Sequence, residues 1–264
     1  MEFKKTVYRV QDGIAWITMN YSKNMNAIDE QMADELNVLF DRADQDEAVN
    51  VIVLEGTEKA FSAGGDIGFF YDKVQSGGKI SLDGLLARVG TLADKMKRMG
   101  KLIITSVCGV AAGAGVSLAL GGDFLVCDEK AKLILAFVNL GLVPDTGAVY
   151  LLSRSIGAAR ALELAATGRP ITAQEAKELG LVYQVVPRDE LRHAVEMLAI
   201  KLASGPAVAY KNMKKQVYEA AFSDYKNWLD SVEIPTQRHC ALTEDFKEGV
   251  KAFMEKRKPS FTGR

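Results

Sequence analysis

Twenty consecutive residues without a charge, 103–122, constrain this chain more than any other stretch. They read I-I-T-S-V-C-G-V-A-A-G-A-G-V-S-L-A-L-G-G, with Lys101 and Asp123 just outside. About 20 apolar residues suffice to cross a membrane. The composition argues against that use. Five of the residues are glycine and four are alanine, so the stretch is small rather than oily. A glycine cluster also cuts it in two. Residues 103–108 predict a buried strand and residues 115–120 a helix. A strand, a Gly-rich turn and a helix N-terminus together place free backbone N–H groups in one spot, with the helix dipole behind them. Such a spot holds an oxygen that carries negative charge.

The bulk numbers set the frame. A length of 264 residues permits one large domain, or one domain with an appendage. Charged residues at 25% and hydrophobic residues at 48% match a soluble globular protein. A net charge of −1 gives no field that attracts nucleic acid or an anionic membrane surface. Cys108, Cys127 and Cys240 are odd in number and fit no zinc spacing. The N-terminus, M-E-F-K-K, lacks an apolar signal core. A reducing cytoplasm is therefore the expected location. With only His193 and His239, neither a histidine metal site nor a histidine triad is expected.

Along the chain, residues 6–10 and 14–19 flank Asp12-Gly13 and predict a β-hairpin. Residues 21–27 form a polar loop. Met32, Leu36, Leu39, Phe40 and Ala43 then recur at helical spacing. Residues 50–54 predict a strand covered on both faces. A loop at 55–66 ends F-S-A-G-G-D, and residues 82–96 predict a second helix. Strands are expected at 124–127, 133–137 and 182–186, with a loop at 140–147. Thr172 and Glu175 predict a capping box ahead of a short helix, with Gly180 as its C-cap. From Asp189 onward the pattern is helical, with breaks at Gly205-Pro206 and near Pro235. The last helix, 243–256, carries Phe246, Val250 and Phe253 on one stripe. Alternating strands and helices followed by helices alone predict an α/β core over 1–195 and a helical region over 196–264. The helical region is expected to bury its apolar stripes against the core or another subunit.

Two Gly/Ala-rich turns, 61–66 and 110–115, each follow a predicted buried strand. Each presents backbone N–H groups without a bulky side chain in the way. Two such donors make an oxyanion hole. The same glycines also suit close packing, and local sequence leaves both readings open.

Three segments occur in order: F-S-A-G-G-D at 61–66, G-A-G-V-S-L-A-L at 113–120 and F-V-N-L-G-L-V-P-D at 137–145. They resemble the crotonase (enoyl-CoA hydratase/isomerase) superfamily. The ending T-E-D-F-K-E-G-V-K-A-F-M-E-K-R-K-P at 243–259 resembles that family's C-terminal helix. The resemblance covers essentially the whole chain. It implies a spiral of ββα units with a helical C-terminal region that builds trimers, often paired as hexamers. It implies an acyl-CoA thioester as ligand, with coenzyme A as part of the substrate and no separate cofactor or metal. The backbone N–H groups of Gly65 and Ala114 would hold the thioester oxygen. The adenine would lie near Ser62, Ala63, Gly64, Asp66 and Ile67. Lys23 and Met25 would lie beside the phosphates or pantetheine, and Ala27 would also belong to the substrate/CoA-binding residues.

Hydratases of this family carry two carboxylates, one on the helix after the G-x-G turn and one beyond. The matching positions here are Ser117 and Phe137, and neither serves as an acid or base. The resemblance is nearest to the single-aspartate isomerases, which place one acid where this chain has Asp145. The L-G-L-V-P-D-T-G segment also resembles isomerases of ring-epoxidised phenylacetyl-CoA. One carboxylate suffices to move a double bond from 3-enoyl to 2-enoyl. An apolar pocket with Phe137 and Leu142 is expected to raise the Asp145 pKa and to exclude water. Against this, Pro-Asp-Thr-Gly also reads as a turn, with Asp145 capping a helix over 146–152. Asp66 is expected to order its loop. Ser117 is expected to pack with a backbone bond, and Tyr150 is an open candidate for the pocket wall. Aryl-CoA dehalogenases use an aspartate at the matching place as nucleophile, but their partner Trp is Phe137 here. A hydratase with an atypical site and a non-catalytic acyl-CoA-binding scaffold complete the alternatives. Lys256-Arg257-Lys258 is either a solvated helix end or a contact for CoA phosphates.

Overall fold

In a computed structural model, which describes residues 3–76 and 81–264, the chain forms two sheets wrapped by helices. Met1 and Glu2 of the N-terminal segment lie outside the described residues. The first half runs β1 (Thr6–Gln11), β2 (Ile14–Met19), α1 (Glu30–Gln45), β3 (Val51–Glu55), α2 (Ile67–Gln75), α3 (Asp83–Arg98), β4 (Leu102–Val107), β5 (Val110–Ala112) and α4 (Ala114–Gly121). It continues with β6 (Phe124–Asp128), β7 (Lys132–Ile134), α5 (Ala148–Ile156), α6 (Ala158–Thr167), β8 (Pro170–Thr172), α7 (Ala173–Glu178) and β9 (Gln184–Val186). The tail is α8 (Leu191–Ala203), α9 (Ala207–Phe222), α10 (Tyr225–Trp228), α11 (Ile234–Ala241) and α12 (Glu244–Met254).

The large sheet has the order β1-β2-β3-β4-β6-β9, parallel except for the β1–β2 hairpin. Asp12 and Gly13 both have positive φ, +53° and +76°, the turn geometry whose twist matches flanking strands. A small sheet, β5-β7-β8, lies beside it. Strand β3 shows why the middle strands are mostly apolar. Ile52 and Leu54 face the main core under α1 and α3, while Val51 and Val53 face α8. Period-two alternation thus sends successive side chains into two different cores. Helix α1 starts where Asp29 accepts the Met32 N–H, and Met32, Leu36, Leu39, Phe40 and Ala43 are all fully buried along it.

Three expected boundaries move. The strand expected over 133–137 ends at Ile134, and Ala136–Leu140 forms a 3₁₀ turn that carries Phe137. The turn closes on Gly141 at φ +68°, where a side chain would meet the Asp245 backbone at 3.1 Å. The Gly-rich turn at 110–115 begins as the short strand β5. The helix expected at Thr146 starts at Ala148, because Thr146 and Gly147 have φ of +57° and +80°. Left-handed residues do not open a right-handed helix.

The tail also differs in detail. Helix α8 spans the expected boundary at 195/196 and packs on the large sheet through Leu191, Val195, Leu198 and Leu202. Pro235 does not break the chain. A π-helical turn, Leu229–Glu233, precedes it and joins α10 to α11. The missing proline N–H is absorbed where the bonding pattern already shifts. Phe246 and Val250 are buried on α12, but Phe253 is 56% exposed. Among the described residues, no helix is long and apolar enough to cross a membrane.

Candidate active site

The two Gly-rich turns meet. Ser62 forms a parallel bridge to Ala111, and Ile28 forms one to Gly65. Gly64 and Gly113 adopt φ of +86° and +50° and face each other closely. A side chain at Gly64 would lie 2.6 Å from the Ala112 oxygen, and one at Gly115 would lie 2.8 Å from the Ser62 oxygen. Packing therefore fixes Gly64 and Gly115. Gly65 and Ala114 are left for a different use. In the bridge, the Ile28 N–H donates to Gly64 and the Asp66 N–H donates to Ile28. That pattern turns the Gly65 N–H away from Ile28. Ala114 is the first residue of α4, where an N–H has no helical partner. Neither N–H finds a protein acceptor among the described residues. Both residues line one apolar pocket. Gly64→Ala is expected to force the turns apart and to strain the backbone, lowering stability by about 1–3 kcal/mol. Chemical denaturation with a parallel activity assay reads this directly.

Asp145 reaches the same pocket from the loop before α5. Its carboxylate does not cap the helix. Oδ1 accepts from the Thr146 hydroxyl (3.0 Å) and Oδ2 from Gln237 Nε2 (3.1 Å). The N-cap position belongs to Gly147, with no side-chain bond. Burial pushes the Asp145 carboxyl up to about 6, while the Thr146 and Gln237 hydrogen bonds pull it back. Asp145 is the one ionisable side chain on the pocket wall among the described residues. Apart from Gln237, the other side chains on the described wall are apolar, among them Phe137, Leu142, Leu82 just before α3, and Leu85, Leu86 and Val89 on α3.

Ala63 and Ile67 also line the pocket. Ser62 does not. It is fully buried, its hydroxyl donates to the Asn26 oxygen (2.8 Å) and accepts from the Gly64 N–H (3.1 Å), and so it shapes the turn. Asp66 accepts from the Phe69 N–H and from Asn24 Nδ2, capping α2 and ordering its loop. Lys23 and Met25 are exposed on the neighbouring loop, and Ala27 is buried beneath it. The Met25 carbonyl accepts from the Ala63 N–H (2.9 Å). Asn26 joins the two loops by donating to Ala60 and Phe61. Ser117 donates its hydroxyl to the Asp145 carbonyl (2.8 Å), the backbone bond expected of it. Tyr150 turns away from the pocket into a cluster with Tyr225 and Leu229. In the C-terminal basic cluster, Arg257 pairs with Glu248 and Glu255 of its own chain.

Two residues of consequence escaped the sequence reading. Gln237 is fully buried, lines the pocket and bonds Asp145. Glu233 accepts the Gly147 N–H (2.8 Å), just behind Asp145. Burial, then the neighbouring Asp145, push Glu233 up to about 9. Both lie on a stripe of every fourth residue: Tyr225, Leu229, Glu233, Gln237, Ala241. Polar residues in the middle of such a stripe are the signal that could have found them.

The comparisons with known proteins agree in scope. A family model described as Enoyl-CoA hydratase/isomerase matches residues 9–264. The chain is 35% identical over 264 residues to a trans-2-decenoyl-[acyl-carrier-protein] isomerase of Streptococcus mutans, covering 100% of both chains. It is 34% identical over 267 residues to a 1,2-epoxyphenylacetyl-CoA isomerase of Escherichia coli, again covering 100% of each. The crystal structure of an enoyl-CoA hydratase from Mycobacterium avium subsp. paratuberculosis superposes with a TM-score of 0.89 at 29% identity, covering 99% of this chain and 100% of that one.

Proposed function

This chain belongs to the enoyl-CoA hydratase/isomerase family of the crotonase superfamily, and we propose that within it the protein moves a double bond of an acyl thioester from 3-enoyl to 2-enoyl. One observation carries this reading: among the described residues a single ionisable side chain, Asp145, faces a largely apolar pocket that also holds two backbone N–H groups without a protein acceptor. Near pH 7 the aspartate is ionised, since its pKa is about 6. It takes a proton from the α-carbon of the 3-enoyl thioester. The electron pair moves onto the thioester oxygen, which the Gly65 and Ala114 N–H groups stabilise as a dienolate. The same carboxyl then returns the proton at the γ-carbon, giving the 2-enoyl product. Nothing is added or lost, so one acid/base group completes the cycle.

Hydration asks for more. It needs a second group to activate water, and the two hydratase positions hold Ser117 and Phe137. Ser117 is buried and committed to the Asp145 carbonyl, while Phe137 makes the pocket drier. The chemistry needs no separate cofactor, because coenzyme A enters with the substrate. Lys23, Met25, Ala63 and Ile67 are the residues we assign to that carrier. For assembly we expect a trimer, alone or paired as a hexamer, in a cytoplasmic setting. The exposed Val208, Met213 and Val217 of α9 supply apolar surface for it.

A second reading has support from the relative in Escherichia coli, which is named for a ring-derived acyl-CoA. The Streptococcus mutans relative is named for a substrate on acyl carrier protein. A panel therefore decides: 3-hexenoyl-CoA, crotonyl-CoA, 1,2-epoxyphenylacetyl-CoA and 3-decenoyl-acyl carrier protein. Isomerisation of a 3-enoyl thioester is expected to exceed crotonyl-CoA hydration by at least about 100-fold, the scale of the missing second acid/base. Fast hydration with weak isomerisation would remove the proposal. Binding without turnover of any of the four would favour a scaffold.

A further inference from the structure

Tyr225, Leu229, Glu233, Gln237 and Ala241 are buried at a strict spacing of four. On a helix of 3.6 residues per turn, each step of four overshoots by about 40°. A stripe of five would wander around the helix. The π-helical turn Leu229–Glu233 is wider and takes back part of that drift. Glu233 and Gln237 therefore meet the 143–147 loop together. Gln237 uses both ends of its amide there. Its Nε2 donates to Asp145 Oδ2 (3.1 Å), and its Oε1 accepts from the Val143 N–H (3.1 Å). Glu233 Oε2 accepts from the Gly147 N–H (2.8 Å).

The turn between these bonds is strained. Thr146, a β-branched residue, is held at φ +57° and is 1% exposed. Such a conformation persists only where the surroundings enforce it. It places the Thr146 hydroxyl on Asp145 Oδ1. We propose that Glu233 and Gln237 are positioning residues that clamp Asp145 at two points, Gln237 on the carboxylate and Glu233 on the backbone turn behind it. The proposal rests on Asp145 as the acid/base. Among the described residues the other titratable groups at this turn are Tyr225, whose hydroxyl packs beside Gly147, with Asp94 and Tyr150 beyond it. Burial and the nearby Asp145 keep Glu233 protonated at neutral pH, so one negative charge serves the pair.

The test compares D145N, Q237M, E233A and E233Q with the wild-type protein on 3-hexenoyl-CoA across pH, with thermal unfolding in parallel. Gln237 donates to the charged form of Asp145, so Q237M is expected to move the acidic limb of kcat/KM upward by about half a unit to one unit. Its kcat should fall on the order of 10-fold, as expected for a misaimed base. E233A should fall on the order of 10-fold in kcat, while E233Q, whose amide oxygen still accepts the Gly147 N–H, stays within about 2-fold. A purely structural role lowers the unfolding temperature without moving the acidic limb. If E233A does not fold, Q237M and E233Q decide. An unmoved limb with wild-type kcat in Q237M overturns the clamp, as does E233Q without activity or E233A with wild-type activity. If D145N is inactive in that case, the acid/base reading stands without the clamp. If D145N is active, both fall.

Discussion

Replacing Asp145 with asparagine is expected to lower isomerisation by at least about 100-fold, the contribution of one positioned acid/base. Asparagine keeps the shape and can still bond Thr146 and Gln237, so a large loss would report the missing proton carrier. Wild-type kcat/KM should fall as pH drops through about 6, where Asp145 takes up its proton. The residual activity of the variant should lack that limb. Stability should move the other way. The folded pKa, about 6, lies above the ordinary value of 3.8, so the folded state holds the proton more tightly than the unfolded chain. Stability from this group is present at low pH and is lost as pH rises from about 4 through 6. At pH 7 the loss is complete and amounts to on the order of 2 kcal/mol, with the pocket-facing share of the residue discounted. Asp145→Asn should therefore unfold at a higher temperature than the wild type at pH 7, with the gain shrinking toward pH 4. A variant that is more stable and inactive marks a carboxylate kept for chemistry at the fold's expense. A variant with full activity would return Asp145 to an ordinary turn residue.

The parts of the fold legible in the sequence were those with strong local causes. The Asp12-Gly13 hairpin, the α1 stripe and the apolar β3 run each follow from a short-range rule, and each appears. The pairing of the Gly-rich turns was legible only through the resemblance. Their meeting depends on bridges between Ser62 and Ala111 and between Ile28 and Gly65, far apart in the chain. Local sequence posed packing against oxyanion binding as a choice for the same glycines. The geometry divides the work, with Gly64 and Gly115 in the close contact and Gly65 and Ala114 facing the pocket. The helix cap expected of Asp145 failed because Thr146 and Gly147 turn left-handed, which no short-range preference for Pro-Asp-Thr-Gly reveals. Gln237 was missed for a similar reason. It lies 92 residues from Asp145, and its stripe runs through a π-helical turn and Pro235, where a regular helical period does not hold.

Replacing Ala114 with proline should lower kcat on the order of 100- to 1000-fold, the loss of one oxyanion donor, while stability changes by about 1 kcal/mol or less. Ala114 occupies the first position of α4, where proline is favoured because its missing N–H has no helical partner. The residue before it is Gly113, at φ +50° and ψ −127°, which has no Cβ to collide with the proline ring. The substitution thus replaces one N–H in the pocket with a ring methylene and breaks no protein hydrogen bond among the described residues. The companion Ala114→Gly keeps the N–H and loses only a methyl group, so its kcat should stay within about 10-fold of the wild type. The two variants separate the donor from the side chain, which Gly64→Ala cannot do because it also moves the backbone. The loss should appear in kcat more than in KM, since the charge on the thioester oxygen develops in the transition state. Free coenzyme A, which has no thioester oxygen, should bind Ala114→Pro and wild type alike in a calorimeter. Equal kcat in the proline and glycine variants would mean that this N–H stabilises no charge, and the glycines of the two turns would then serve packing alone.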